Sequence, residues 1–170
     1  MFKKLIQTSF ICLTIGVFAQ EKDLLGVPSP MAFENAQKEV VNFEMTKSIL
    51  EPKTRVIVQE YAPKSKSTER ITITFQPESD PRETLKKKHE EIMENKRAKE
   101  VEATEIGEHK FLIKYRLIND KNAAERREVF VGMGKTETGT GTYIIEYSGG
   151  NFTQMLNLEK LPEMNITAVY

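Results

Sequence analysis

From residue 40 the chain alternates apolar and polar positions. Val41, Phe43 and Met45 take turns with Asn42, Glu44 and Thr46. After a turn at Glu51-Pro52-Lys53 comes RVIVQEY, Arg55 to Tyr61, rich in β-branched residues. A polar link, PKSKST, leads to RITITF, Arg70 to Phe75. There Ile71, Ile73 and Phe75 share one face and Thr72 and Thr74 the other. Period two over such runs predicts half-buried strands. Three in sequence with short links predict an antiparallel meander.

The period then changes. Asp80 can cap a helix, Pro81 suits its first turn, and Glu83 stands three residues after the cap. Leu85, His89, Ile92 and Met93 form one apolar stripe at helical spacing, and lysines and glutamates fill the rest. A helix from about Pro81 to Arg97 follows, its charge run read as a solvated face. Beyond VEATEI and a turn at Gly107, HKFLIKYRL places Phe111, Ile113, Tyr115 and Leu117 on one face. REVFVGM, Arg127 to Met133, and TYIIEY, Thr142 to Tyr147, each hold three consecutive apolar residues, which predicts strands covered on both sides. Gly149-Gly150 ends the last of these, and NFTQMLNLEKL reads as a closing amphipathic helix with Phe152, Met155 and Leu156 on its buried stripe.

The first forty residues read differently. Lys3 and Lys4 precede an apolar stretch, Leu5 to Phe18, and Val17-Phe18-Ala19 resembles a small-x-small cleavage site. This is the pattern of a secretory signal peptide over residues 1–19. The stretch is shorter than the roughly 20 residues that cross a bilayer. Its VFAQ ending has a Gram-negative look, which places the expected product in the periplasm or outside the cell. Residues 20–38 form an extended lead-in. Ser29-Pro30 opens a short helix there, or equally a strand with a bend. Residues 39–170 make a single domain.

Cleavage removes Lys3, Lys4 and Cys12, the only cysteine. The remaining chain of about 150 residues is long enough for one core and must be held by it, without disulfides. Loss of the cysteine excludes thiol and zinc–thiolate chemistry. The near-neutral balance of 25 basic and 25 acidic residues argues against nucleic acid, which selects basic faces.

Candidate chemistry is sparse. GMGKTETGTGTY, Gly132 to Tyr143, contains the Gly-Lys-Thr of a phosphate loop, but Val129 stands where that motif needs its first glycine. The context is strand–turn–strand, with Gly139 and Gly141 expected to supply positive backbone angles at a hairpin tip. No nucleotide is expected there. His89-Glu90-Glu91-Ile92-Met93 begins like a zinc-protease helix and lacks the second histidine. His109 follows Glu108 at a strand start. No serine occupies a nucleophile elbow. The residues therefore assign no catalytic, cofactor or metal site, and the chain is not expected to be an enzyme.

The order of elements resembles the PsbP/Mog1-like superfamily, including envelope relatives of the DcrB and LpqN type. The likeness covers roughly residues 55–160. It rests on the helix of ITITFQPESDPRETLKKKHEEI, the strand of IGEHKFLIKYRL and the hairpin REVFVGMGK…GTYIIEY. It implies an α+β domain: a central antiparallel sheet of about six to seven strands with helices packed on its faces. It also implies an accessory or binding protein without shared catalytic residues. The favoured reading is an exported, non-enzymatic protein docking on a larger envelope complex through Val58, Glu60, Tyr61, Phe152 and Met155. A carrier of lipid or another small ligand, with an apolar cavity between sheet and helix, is the alternative. A hydrolase stands third.

Overall fold

The computed structural model describes residues 22–27, 29–34, 38–65, 68–121, 123–150 and 166–170. In chain order the elements are β1 (Met31–Glu34), β2 (Val40–Leu50), β3 (Ile57–Pro63), β4 (Arg70–Pro77), α1 (Pro81–Glu94), β5 (Ala98–Gly107), β6 (Lys110–Ile118), β7 (Ala124–Thr136), β8 (Thr140–Gly150) and β9 (Thr167–Ala168). The signal-peptide segment and the expected closing helix, with Phe152 and Met155, lie outside the described residues.

Eight strands run antiparallel in the order β1-β2-β3-β4-β8-β7-β6-β5 and curl into a half-barrel, while β9 pairs parallel with β7. Two meanders, β1–β4 and β5–β8, meet at the β4–β8 seam, whose register runs from Arg70↔Ser148 to Pro77↔Gly141. This corrects the expected α+β layering. Strand accounts for 59% of the described residues, which hold one short helix, and the sheet does not have helices packed on its faces. VEATEI, to which the sequence reading assigns no element, belongs to the edge strand β5. Ser29-Pro30 leads into strand β1, so Met31–Glu34 are extended and not helical.

The half-barrel buries two apolar layers. On the inner face Phe43, Ile57, Tyr61, Ile71, Ile73, Phe75, Leu112, Phe130, Tyr143, Ile145 and Tyr147 form one cluster. The chain ends complete it. Leu25 and Val27 of the lead-in and Ile166 and Ala168 of the tail are buried in the same cluster. Backbone bonds tie them down: the amide of Lys135 donates to the carbonyl of Ile166 (2.9 Å), and that of Val169 to the carbonyl of Leu24 (2.8 Å).

On the other face α1 covers part of the second meander. Ile92 packs with Phe111, Ile113, Val129, Val131 and Ile144, flanked by Leu85 and Tyr115. The consecutive apolar residues of β7 and β8 are thus used on both sides, as their runs predict. The helix starts as its sequence dictates: Asp80 Oδ1 accepts from the amides of Arg82 (2.8 Å) and Glu83 (3.1 Å). It ends at Glu94, a turn short of Arg97. Its inward stripe is also rotated from the expected one. Pro81, Thr84 and Ile92 are buried and Lys88 is half-buried, whereas Met93 is 59% exposed. Asp80→Ala should lower the urea midpoint by the equivalent of about 1 kcal/mol, since it leaves two amides unsatisfied. An unchanged midpoint would show that the cap contributes nothing.

Candidate functional site

The Gly-Lys-Thr segment is the end of strand β7, and Lys135 pairs with Thr140 across a tight hairpin. The hairpin expectation therefore matches the backbone, but the role assigned to its glycines does not. Neither Gly139 nor Gly141 has a positive φ; among the described glycines only Gly26 and Gly149 do. The glycines make room for rings instead. A Cβ on Gly132 would lie 2.5 Å from the Tyr143 ring, and one on Gly141 would lie 2.7 Å from Phe75 and 2.4 Å from the carbonyl oxygen of Gln76. Phe130 and Tyr143 stack at 5.7 Å above this floor.

The expected docking residues separate. In β3 the inward positions are Ile57, Gln59, Tyr61 and Pro63, all buried, while Val58 and Glu60 point to the helix side and are half-buried. Glu60 lies 3.4 Å from Lys47. Tyr61 is fully enclosed and presents no surface. Its hydroxyl donates to Gln59 Oε1 (2.9 Å), and Gln59 Nε2 donates to Asp23 Oδ1 (3.0 Å) and Ser48 Oγ (3.2 Å). A buried amide is tolerated when its groups are bonded in this way. Burial, then the charge of Asp23, pushes the Tyr61 phenol above its ordinary value. The network's product is structural: it pins the lead-in onto the sheet.

Further along the inner face the character changes from apolar to charged. Tyr147 donates to Glu69 Oε1 at 2.6 Å, and its phenol is pushed up by burial, then by Glu69. Opposite Tyr147 in register stands Glu128, 1% exposed, with Arg126 Nε 3.2 Å from its carboxylate. The next strands continue the row: Glu128 pairs with Lys114, and Lys114 with Glu102. Arg126 pairs with Arg116, and Arg116 with Lys99. One row alternates in sign and the next holds three cations.

Glu102, Lys114, Arg116 and Arg126 of these rows, with Glu100 and Tyr115, line an open cleft of about 120 Å³. A β-bulge in β5 between Lys99 and Glu102 shapes its wall. Glu100 takes a left-handed φ of 52° within that bulge, and its carboxylate meets Arg116 Nη1 at 2.8 Å. The cations form the floor and the carboxylates the rim. Arg126 and Arg116 side chains are 22% and 37% exposed, against 63% for Glu100. Chemically this is a recognition site with fixed charges: guanidiniums keep their charge at all accessible pH values and present planar forks to oxyanions. Of these residues only Tyr115 stood out in the sequence, as part of an apolar strand face; the charged residues did not. The available signal was the run of charged residues at alternate positions, Lys114 and Arg116 on β6 and Arg126 and Glu128 on β7.

A second polar group lies beneath α1. Lys88 Nζ sits 2.6 Å from Glu146 and 3.2 Å from Glu91. Burial pulls the Lys88 ammonium down, but Glu146 and then Glu91 outweigh it and hold the amine above its ordinary value. Arg127 lies 2.8 Å from Glu125 on the same face. Of these pairs Lys88–Glu146 joins the helix to the sheet, Lys88–Glu91 lies within α1 and Arg127–Glu125 within β7. His89 is half-buried on α1 and His109 occupies the β5–β6 turn with φ 53°. Among the described residues no helix is long and apolar enough to cross a membrane.

Comparison with protein-family models, with curated proteins and with solved structures finds no match.

Proposed function

We propose that this chain is an exported, non-enzymatic binding protein of the bacterial cell envelope that docks on a larger envelope complex. The observation that carries the reading is the charged cleft, where β5, β6 and β7 gather fixed charges of both signs on one face at the edge of the sheet. Its chemistry suits recognition: arginines and carboxylates held in place by partners, beside a core already occupied by the protein's own lead-in and tail. The resemblance to the PsbP/Mog1-like superfamily, rich in accessory and binding proteins, is proposed as kinship that favours the same class. Export rests on the signal-peptide pattern of residues 1–19.

The test is comparative capture from envelope extracts with the immobilised mature chain and its Arg116→Gln/Arg126→Gln variant. The wild type should retain a defined partner, and the variant, still folded by circular dichroism though destabilised where Glu128 loses Arg126, should lose it. A wild type that retains nothing above background, or that turns over a substrate in the absence of any partner, would overturn the reading.

A further inference from the structure

We propose that the two chain ends form a single clasp, which bridges the meanders away from the β4–β8 seam and releases as one unit, uncovering the inner face of the half-barrel while the sheet stays intact. The proposal is independent of the docking reading. Three features support it.

The first is mutual dependence. Tail and lead-in supply each other's backbone partners: the amide of Thr167 donates to the carbonyl of Leu25 (3.3 Å), and that of Val169 to the carbonyl of Leu24 (2.8 Å). The tail in turn lies on β7, where Thr167 and Ala168 pair with Lys135 and Thr136, and the amide of Lys135 donates to the carbonyl of Ile166 (2.9 Å). Moving one piece alone leaves backbone groups of the other unpaired beside an apolar layer, which is costly. The second is the latch at the far end. Asp23 Oδ1 accepts from the amide of Leu25 (2.9 Å) and from Gln59 Nε2 (3.0 Å). Gln59 belongs to β3, so the path from β7 through tail and lead-in to Gln59 joins the second meander to the first. Asp23 is exposed, and water can compete for this side-chain latch. The third is the disparity with the seam. There β4 and β8 pair over eight residues each, whereas β9 pairs over two. Short terminal pieces open at lower free energy than central strands. The clasp side chains Leu25, Val27, Ile166 and Ala168 share one cluster with the fully buried Phe43, Ile57, Tyr61 and Phe75. Their release therefore bares an apolar face, with Gln59 as its polar point.

Native-state hydrogen exchange of the purified protein, with and without low urea, tests this. The amides of Thr167, Val169 and Lys135 should share one opening free energy, below that of the seam amides of Ile73 and Ile145. Leu25→Ala should speed exchange at the three clasp amides together by about tenfold or more and leave the seam amides unchanged. Asp23→Ala, at an exposed position, should speed the same three by a smaller factor. The dye 8-anilinonaphthalene-1-sulfonate should fluoresce more strongly with Leu25→Ala than with the wild type, at an unchanged far-ultraviolet circular dichroism spectrum. Exchange of the three amides only on global unfolding, or separate opening of tail and lead-in, would overturn the clasp. So would a Leu25→Ala chain that loses its sheet, since the ends would then belong to one cooperative core. Faster clasp exchange without added dye binding would overturn the uncovering of the inner face.

Discussion

Ile113→Ala is expected to lower the unfolding free energy by about 2–5 kcal/mol, the range for a buried aliphatic that leaves a cavity. Ile113 has no exposed surface and sits between α1 and β7, packed with Ile92 and Val129. The layer is thin, with a single helix on it, so neighbours have little freedom to collapse into the void. Met93→Ala is the paired control. Met93 lies on the same helix but is 59% exposed, so its truncation should change stability by no more than about 0.5 kcal/mol. Chemical denaturation of both variants checks the pair. A large loss at Met93 with a small one at Ile113 would mean that the helix is rotated from the position described.

Phe75→Ala should be the more damaging change, at about 3–5 kcal/mol. Phe75 is fully buried on the central seam and lies against the backbone of Gly134 and Gly141. It belongs to the cluster that contains Leu25 and Ile166, so the loss should also loosen the hold on both chain ends. Hydrogen exchange should show faster exchange at the amides of Val169 and Lys135, which bond to the lead-in and the tail. Gly141→Ala attacks the same contact from the other side. Its Cβ would meet a backbone oxygen at 2.4 Å, and overpacking of this kind costs about 1–3 kcal/mol. If Phe75→Ala unfolds at the wild-type midpoint, the inner face is not the core described.

The parts of this fold that were legible in the sequence are those with an unmixed period. RITITF, TYIIEY and the Asp80-Pro81 helix start were readable because apolar spacing or cap chemistry was local. β5 was not, because an edge strand is half solvated and this one carries Lys99, Glu100, Glu102 and Glu105, which mask any alternation. The helix stripe was misjudged by one position. Lys88 looked solvated, yet its stem lies under the helix while its ammonium reaches Glu146, a case of a long side chain burying its carbons and keeping its charge paired. Tyr61 was expected at a docking surface, yet it is fully buried on the inner face beside Gln59. The Gln59 amide is satisfied inside by Asp23, Ser48 and Tyr61, a long-range arrangement that no local pattern reports. The helices expected on the sheet faces came from the resemblance; among the described residues the inner layer is completed instead by short pieces, Leu24–Val27 and Ile166–Ala168, too brief to show a period.

The cleft was illegible for a related reason. Its residues come from three strands, and single-strand reading sees Lys114, Arg116 and Arg126 as ordinary solvent-facing charges. Only the register sets Arg116 opposite Arg126 and turns a charge run into a site.

Native mass spectrometry of the gently purified protein tests most directly whether it works by surface recognition or by enclosing a ligand. With the inner face occupied by Leu25, Val27, Ile166 and Ala168, and the helix layer closed over Ile113, the account predicts one species at the mass of the chain alone. A stoichiometric adduct of lipid mass that survives desalting would contradict it and make the protein a carrier.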